Sequence, residues 1–154
     1  MAPPVVRLAG AVPRRFHTLD DFVFGPLPAQ GADLPIYIGG RAEAALRRVG
    51  RLADGYHSSA ANPARYGPRL PIIRGAADEA GRPMPALTAR VPVQLDRVDE
   101  SYYAMRGSPD EIAAEVRAFA DLGVSHLALW FVDPDPDRVV AMAERFHAEV
   151  EPLV

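Results

Sequence analysis

The sequence predicts an α/β domain of four successive strand–helix units, preceded by a long irregular arm over residues 1–33. Three observations carry that prediction. Short apolar runs rich in β-branched and aromatic residues recur four times from Leu34 onward, each followed by apolar residues at helical spacing. The rhythm repeats at roughly thirty residues, the length of one strand-plus-crossover unit. Glycine, proline and aspartate punctuate the junctions. Such units require parallel strands joined by right-handed crossovers. Four parallel strands with every helix on one side make half of a (β/α)8 barrel. An open doubly wound sheet satisfies the same periodicity, and the pattern alone does not separate the two.

The arm contains Pro3, Pro4, Pro13, Pro26 and Pro28 and shows little periodicity beyond a short strand near Phe22–Phe24. The first strand of the repeat covers about 35–39. A helix follows over about 41–53, with Ala42, Ala45, Leu46, Val49, Leu52 and Ala53 as its apolar stripe. Asp54 and Gly55 end it and open a second strand at 56–59. Asn62 and Pro63 read as an N-cap followed by proline at the first helical position. Pro68 and Pro71 argue against a regular helix before about residue 71, so the second helix is placed at 71–80. A third strand spans 87–95 and a polar loop 96–107. Ser108, Pro109 and Glu111 form the clearest helix start, with a serine cap, proline next and glutamate closing a capping box. Ile112, Val116, Phe119 and Ala120 face inward and Gly123 stops that helix. The fourth strand covers 126–132, and the last helix, about 137–149, buries Val139, Met142, Ala143, Phe146 and Val150.

With 154 residues, 49% apolar and 24% charged, the chain is globular and long enough for a real core. The organisation expected is an arm over 1–33 and a single domain over 34–154. A net charge of −3, with no clustered basic face, gives no electrostatic case for nucleic acid. The absence of cysteine excludes disulfides and thiolate metal sites. No apolar run approaches the roughly 18 residues of a membrane span. Residues Met1 to Arg15 read as a non-secretory leader or loop, and a cytoplasmic protein is expected.

The junction at Gly39, Gly40 and Arg41 is the most informative stretch. A β-branched run stops at two glycines and an amphipathic helix starts at once. Glycines there let a backbone approach a ligand without a Cβ in the way. The free N–H groups of the next helical turn then face the same point, with the positive end of the helix dipole behind them. That is an anion site, usually for phosphate. Many α/β proteins turn a strand into a helix with glycine and bind nothing, so the junction alone leaves both readings open.

Other candidates carry less. His57, beside Ser58 and Ser59, reads as a strand-end histidine, with a ring-pocket role as the alternative. His126 opens a strand and is structural; His17 and His147 have no partner pattern. No pair of histidines or carboxylates has metal-ligand spacing, so no metal is expected. Trp130 and Phe131 end the fourth strand, one of them pointing inward, and core packing is the simpler role. Tyr102 and Tyr103 either cover an opening or pack. Asp133, Asp135 and Asp137 lack the ligand set of a calcium loop and read as a solvated, helix-capping turn. No Gly-x-Ser-x-Gly elbow supports hydrolase chemistry.

Two blocks go beyond these arguments. Residues 34–40 (Leu-Pro-Ile-Tyr-Ile-Gly-Gly), then Ala44 to Arg48, then Leu52 to Tyr56, form the first. Gly107 to Ala113, Phe119 and Ala120, and Leu122 to Leu127 form the second, with a lead-in at Phe16 to Leu19 and Pro26 to Gly31. In this order and spacing the chain resembles the bacterial luciferase-like monooxygenases, flavin- and coenzyme F420-dependent oxidoreductases on a TIM-barrel scaffold. The resemblance covers roughly residues 14–154 and implies the C-terminal half of the barrel, strands five to eight. It implies a cofactor, FMN or F420, whose phosphate rests on Gly39, Gly40 and Arg41. It carries over no catalytic residue, because the family's substrate-contacting residues lie mostly in the other half. It further implies a small organic substrate, and a homodimer or a separately encoded N-terminal half to close the barrel. A non-catalytic half-barrel module, or a truncated inactive member, is the alternative.

Overall fold

A computed structural model describes residues 6–8, 12–13, 18–19, 22–95 and 101–154. The chain divides into two compact units, Met1–Pro35 and Ile36–Val154. In the first, β1 (Val6–Leu8), β2 (Val12–Pro13), β3 (Thr18–Leu19) and β4 (Phe22–Phe24) form two antiparallel pairs, β1 with β4 and β2 with β3. The expected strand at Phe22–Phe24 is present, and it has a partner. Strands of two or three residues are too short to show an alternating pattern, which is why the segment reads as irregular in sequence.

The second unit runs β5 (Tyr37–Ile38), α1 (Glu43–Leu52), β6 (Gly55–Ser59), α2 (Pro63–Tyr66), a 3-10 turn (Gly67–Arg69), α3 (Leu70–Glu79), β7 (Ala86–Gln94), β8 (Met105–Arg106), α4 (Pro109–Asp121), β9 (Val124–Phe131) and α5 (Pro136–Glu149). All strand pairs are parallel: β5 with β6, β6 with β7 and β7 with β9, while β8 adds a two-residue pair at Val93 and Gln94. The long strands therefore lie side by side in chain order. A doubly wound sheet reverses its order part-way to place helices on both faces, and no reversal occurs here. The pattern is that of a partial (β/α)8 barrel.

Packing agrees. Leu87, Ala89, Val91 and Val93 of β7 are buried in one cluster with Tyr56, Val124, Leu46 and Val49 of α1, Ile73 of α3, Ile112 and Phe119 of α4, and Phe146. One strand face thus receives all four long helices. Burying each large side chain contributes about 1.5–3 kcal/mol. The rings of Tyr56, Tyr66 and Phe119 form a chain through this layer, with centroids 5.5 and 5.9 Å apart. Gly50 lets α1 and α3 touch backbone to backbone, since a Cβ there would lie 2.3 Å from the Ile73 carbonyl oxygen.

Three expectations need correction. Helical structure begins at Pro63, well before residue 71. Each proline sits in the first turn of its own segment, Pro63 in α2, Pro68 in the 3-10 turn and Pro71 in α3, where its missing N–H has no partner to lose. The segment 96–107 ends in strand β8, while residues 96–100 lie outside the described residues. The fourth strand opens at Val124 and ends at Phe131, so His126 is its third residue rather than its first.

The capping box forms as expected. Ser108 Oγ accepts from the Glu111 N–H at 3.3 Å, and Glu111 Oε2 accepts from the Ser108 N–H at 2.7 Å. Those bonds to Ser108 hold the Glu111 carboxyl below its ordinary value of 4.5. A group whose folded pKa is depressed stabilises the fold above its unfolded value and loses that effect as pH falls through the folded one. Ser108→Ala should lower stability by about 1 kcal/mol. Glu111→Gln should lower it most above the ordinary carboxylate range, with the gap to wild type closing on acidification. Urea midpoints across that range test both, and a pH-independent gap for Glu111→Gln would contradict the box.

Candidate functional site

The turn between β5 and α1 is built for glycine. Gly40 has φ +121°, a conformation side chains rarely adopt, and a Cβ there would lie 2.9 Å from the Ala45 Cβ. At Gly39 a Cβ would meet the His57 carbonyl oxygen at 3.0 Å. The N-cap of α1 is Ala42, which offers no side-chain oxygen to the first-turn N–H groups. Glu43, in that first turn, is answered by Arg47, whose Nη2 lies 2.9 Å from Oε1. The end of α1 therefore keeps a net positive character.

A cavity of about 650 Å³ adjoins this turn, lined by Gly40, Arg41, Ser58, Ser59, Arg65 and Arg69 among others, none of them acidic. The 3-10 turn carries Arg69 back over β6, where its Nη1 donates to Tyr56 Oη and to Ser58 Oγ, both at 2.8 Å. Tyr56 in turn donates to the Gly40 carbonyl at 2.8 Å. Tyr56 and Ser58 are buried. A guanidinium has five donors, so the two hydroxyls fix its direction and leave others for a ligand. The result is a glycine turn, an uncapped helix end and three arginines around one opening, which fits an anion such as a phosphate ester.

Of the three sequence-predicted residues, Gly40 and Arg41 line the cavity, while Gly39 precedes them and packs against the His57 carbonyl. Sequence reasoning missed Ser58, Arg65 and Arg69, and valued Tyr56 only as part of a string. No spacing rule ties residue 69 to residue 40; the tie runs through a buried hydroxyl.

The other candidates separate cleanly. Phe131 packs edge-on against Phe146, centroids 6.0 Å apart, in the helix layer. Trp130 points to the opposite face, 46% exposed, with the Arg90 guanidinium 4.9 Å above its ring. Tyr103 donates to Glu115 at 2.7 Å, and burial pushes its hydroxyl pKa up. Tyr102 accepts from Gln94 Nε2 at 2.8 Å. Asp133 accepts from the Asp135 N–H, and Asp135 from the Asp137 N–H, so this is the helix-capping turn that the sequence suggests. A second cavity of about 440 Å³ lies beside it, lined by Asp133, Arg138 and Met142 among others. His147 contacts Glu151 at 2.6 Å, and His17 lies outside the described residues. No group of three or more metal-ligating side chains occurs among the described residues.

Fold and site together define a barrel-type α/β protein with an arginine-lined opening at the strand ends, where barrel enzymes build their sites. The description of the luciferase-like monooxygenases matches residues 11–105, and the chain belongs to that family. Its first sequence block lies inside the matched stretch and its second beyond it. No curated protein matches the chain by sequence. Among solved structures it is similar to coenzyme F420-dependent tetrahydromethanopterin reductase from Methanopyrus kandleri, with TM-score 0.69 and 18% identity over 96% of this chain and 57% of that one. An F420-dependent secondary alcohol dehydrogenase gives 0.68 and 16%, covering 95% and 56%. The monooxygenase RslO1 from Streptomyces bottropensis gives 0.62 and 16%, covering 96% and 55%. At these identities the likeness is one of fold. The chain spans little more than half the length of the structures it matches. No helix among the described residues is long and apolar enough to cross a membrane.

Tyr56→Phe should lower stability by about 1–2 kcal/mol, because Arg69 and the Gly40 carbonyl each lose a partner while the ring stays packed. Denaturant midpoints of the variant and wild type check this. Coincident curves would mean that the hydroxyl does not hold the turn.

Proposed function

We propose that this chain is the cofactor-phosphate-binding portion of a flavin- or F420-dependent oxidoreductase, with Gly39, Gly40 and Arg41 at the phosphate, extended by Ser58, Arg65 and Arg69. One observation carries the reading: the Arg69–Tyr56–Gly40 relay, which joins an otherwise ordinary glycine turn to a fixed cation. The opening suits FMN and F420 alike, since both carry a phosphate group. When bound, such a cofactor supplies the redox chemistry, hydride exchange or oxygen activation, toward a small organic substrate. The residues of this chain bind and orient. Tyr56 fixes the carbonyl of Gly40 and so the direction of the turn. Arg69 is held by Tyr56 and Ser58 so that a ligand need not order it. Arg41 and Arg65 stand exposed at the rim and add attraction for an anion.

The incomplete barrel bears on the partners. Among the described residues β9 is paired on one edge only, and β5 likewise. An open strand edge is a template for further pairing. In this reading a separately encoded N-terminal half, or a second copy of the chain, adds strands at those edges, in the cytoplasm. A non-catalytic half-barrel module is the second reading.

The test is a fluorescence titration of the purified chain with FMN and with F420, repeated with Arg41→Glu. Saturable binding of one at micromolar concentration, weakened at least tenfold in the variant, is the expected result. Binding of neither would refute cofactor binding by this chain, and equal affinity in the variant would move the phosphate elsewhere. Gly40→Asp is a poorer probe, because the residue's φ makes any side chain there a strain on the fold.

A further inference from the structure

The geometry points to His57 as a second contact for the same ligand: its Nε2 presents a hydrogen-bond-accepting lone pair to an N–H or O–H group of the ligand's ring system, beside the glycine turn. The inference rests on the cofactor reading above and deepens it from the phosphate to the ring.

The argument begins with a buried hydroxyl. Thr88 is 6% exposed, and its Oγ1 donates to the Tyr56 carbonyl at 3.1 Å. A hydroxyl has one proton to give. The same oxygen lies 2.8 Å from His57 Nδ1; with its own proton on the Tyr56 carbonyl it accepts there, and Nδ1 then carries the hydrogen. In a neutral imidazole the hydrogen bond made by one nitrogen decides the state of the other. Nε2 is thereby left bare, as an acceptor.

That acceptor is available. His57 is half-buried, and Arg82 Nε is the only fully buried side-chain nitrogen or oxygen without a partner among the described residues. No protein donor to His57 Nε2 exists among the described residues, so this nitrogen meets solvent. Alternation along the strand puts His57 on the face opposite the helix layer, because its neighbours Tyr56 and Ser58 point toward the helices. Register places Thr88 beside it and Arg90 beside Ser59 on that same face.

The position relative to the phosphate opening is equally definite. Ile38 pairs with Tyr56, and Gly39 continues that register next to His57, close enough for a Cβ on Gly39 to strike the His57 carbonyl. Further along the face the exposed Trp130 carries Arg90 over its ring. A planar heteroaromatic ring with an imide N–H brings the donor that this fixed acceptor lacks. Flavin and deazaflavin rings both carry that imide.

Two measurements on the full chain test the inference. A long-range proton–nitrogen spectrum of the histidine-labelled protein, with the His57 signals assigned by their loss in His57→Gln, should show hydrogen on Nδ1 and a bare Nε2. Thr88→Val should shift the population toward Nε2–H. A wild-type ring already protonated at Nε2 alone would overturn the proposal. The second is titration with FMN and with riboflavin, which has the ring and lacks the phosphate, or with F420 and its phosphate-free deazariboflavin if that is the cofactor. His57→Phe should weaken both members of the pair by about the same factor, near tenfold for one lost hydrogen bond. His57→Gln, which keeps an acceptor, should recover part of the loss. Arg41→Glu should weaken the phosphorylated member alone. Unchanged affinity in His57→Phe beside a weakened Arg41→Glu would overturn the histidine contact and leave the phosphate site standing. Absence of binding by the wild type would overturn the cofactor reading and this inference with it.

Discussion

The apolar face of β7 is the constraint on which the second unit depends. Leu87, Ala89, Val91 and Val93 turn to the helices, while Thr88, Arg90, Pro92 and Gln94 turn the other way. Because β6 lies along one side of this strand and β9 along the other, their side chains inherit the same division through the register, with one register shift in β9 beside Leu87 and Thr88. A slip of one residue would exchange the two sets, putting Arg90 into the apolar layer and Val91 outside it. Burial of an unpaired guanidinium costs several kcal/mol, far more than register freedom can offset. The helix layer and the opposite face are therefore two outcomes of a single packing decision.

That decision also explains why the candidate site spans both faces. Tyr56 and Ser58 belong to the helix side, where they meet Arg69, while His57 and Ser59 belong to the other. The glycine turn sits where the sheet ends, the one place both sides reach. A ligand group there can be held by a cation supplied from behind the sheet while the rest of the molecule lies in front of it. The acidic residue in the first turn of α1 is already committed, Glu43 to Arg47, so the opening keeps its sign.

Much of this was legible in the sequence. The four strand–helix units, the Ser108 cap, the Asp135 cap and the glycine turn follow from local chemistry: hydrophobic period, capping residues and backbone freedom. Half-barrel and doubly wound sheet were inseparable by period, because strand order is a property of distant pairs; the buried cluster on one face decides it. The proline at 68 misled because a proline forbids helix only where its N–H would be needed, and here a 3-10 turn absorbs it. Arg69 escaped notice since nothing local marks an arginine whose partners are a buried tyrosine and serine thirteen and eleven residues away. The His57 lone pair was invisible for the same reason, as its state is set by a hydroxyl thirty-one residues along the chain.

The close approach at Gly50 has a mechanical consequence. With backbone against backbone at Ile73 and Ala77, α1 and α3 have no layer of side chains between them at that point to shear or repack. The glycine turn is the leading end of one helix, and Arg69 immediately precedes the other. The two halves of the anion opening are thus mounted on a single stiff body and move together or not at all. A ligand arriving there finds its contacts already at their final separation, so little conformational freedom is left to be lost on association. The stiffness of that close contact is also what keeps the opening in shape.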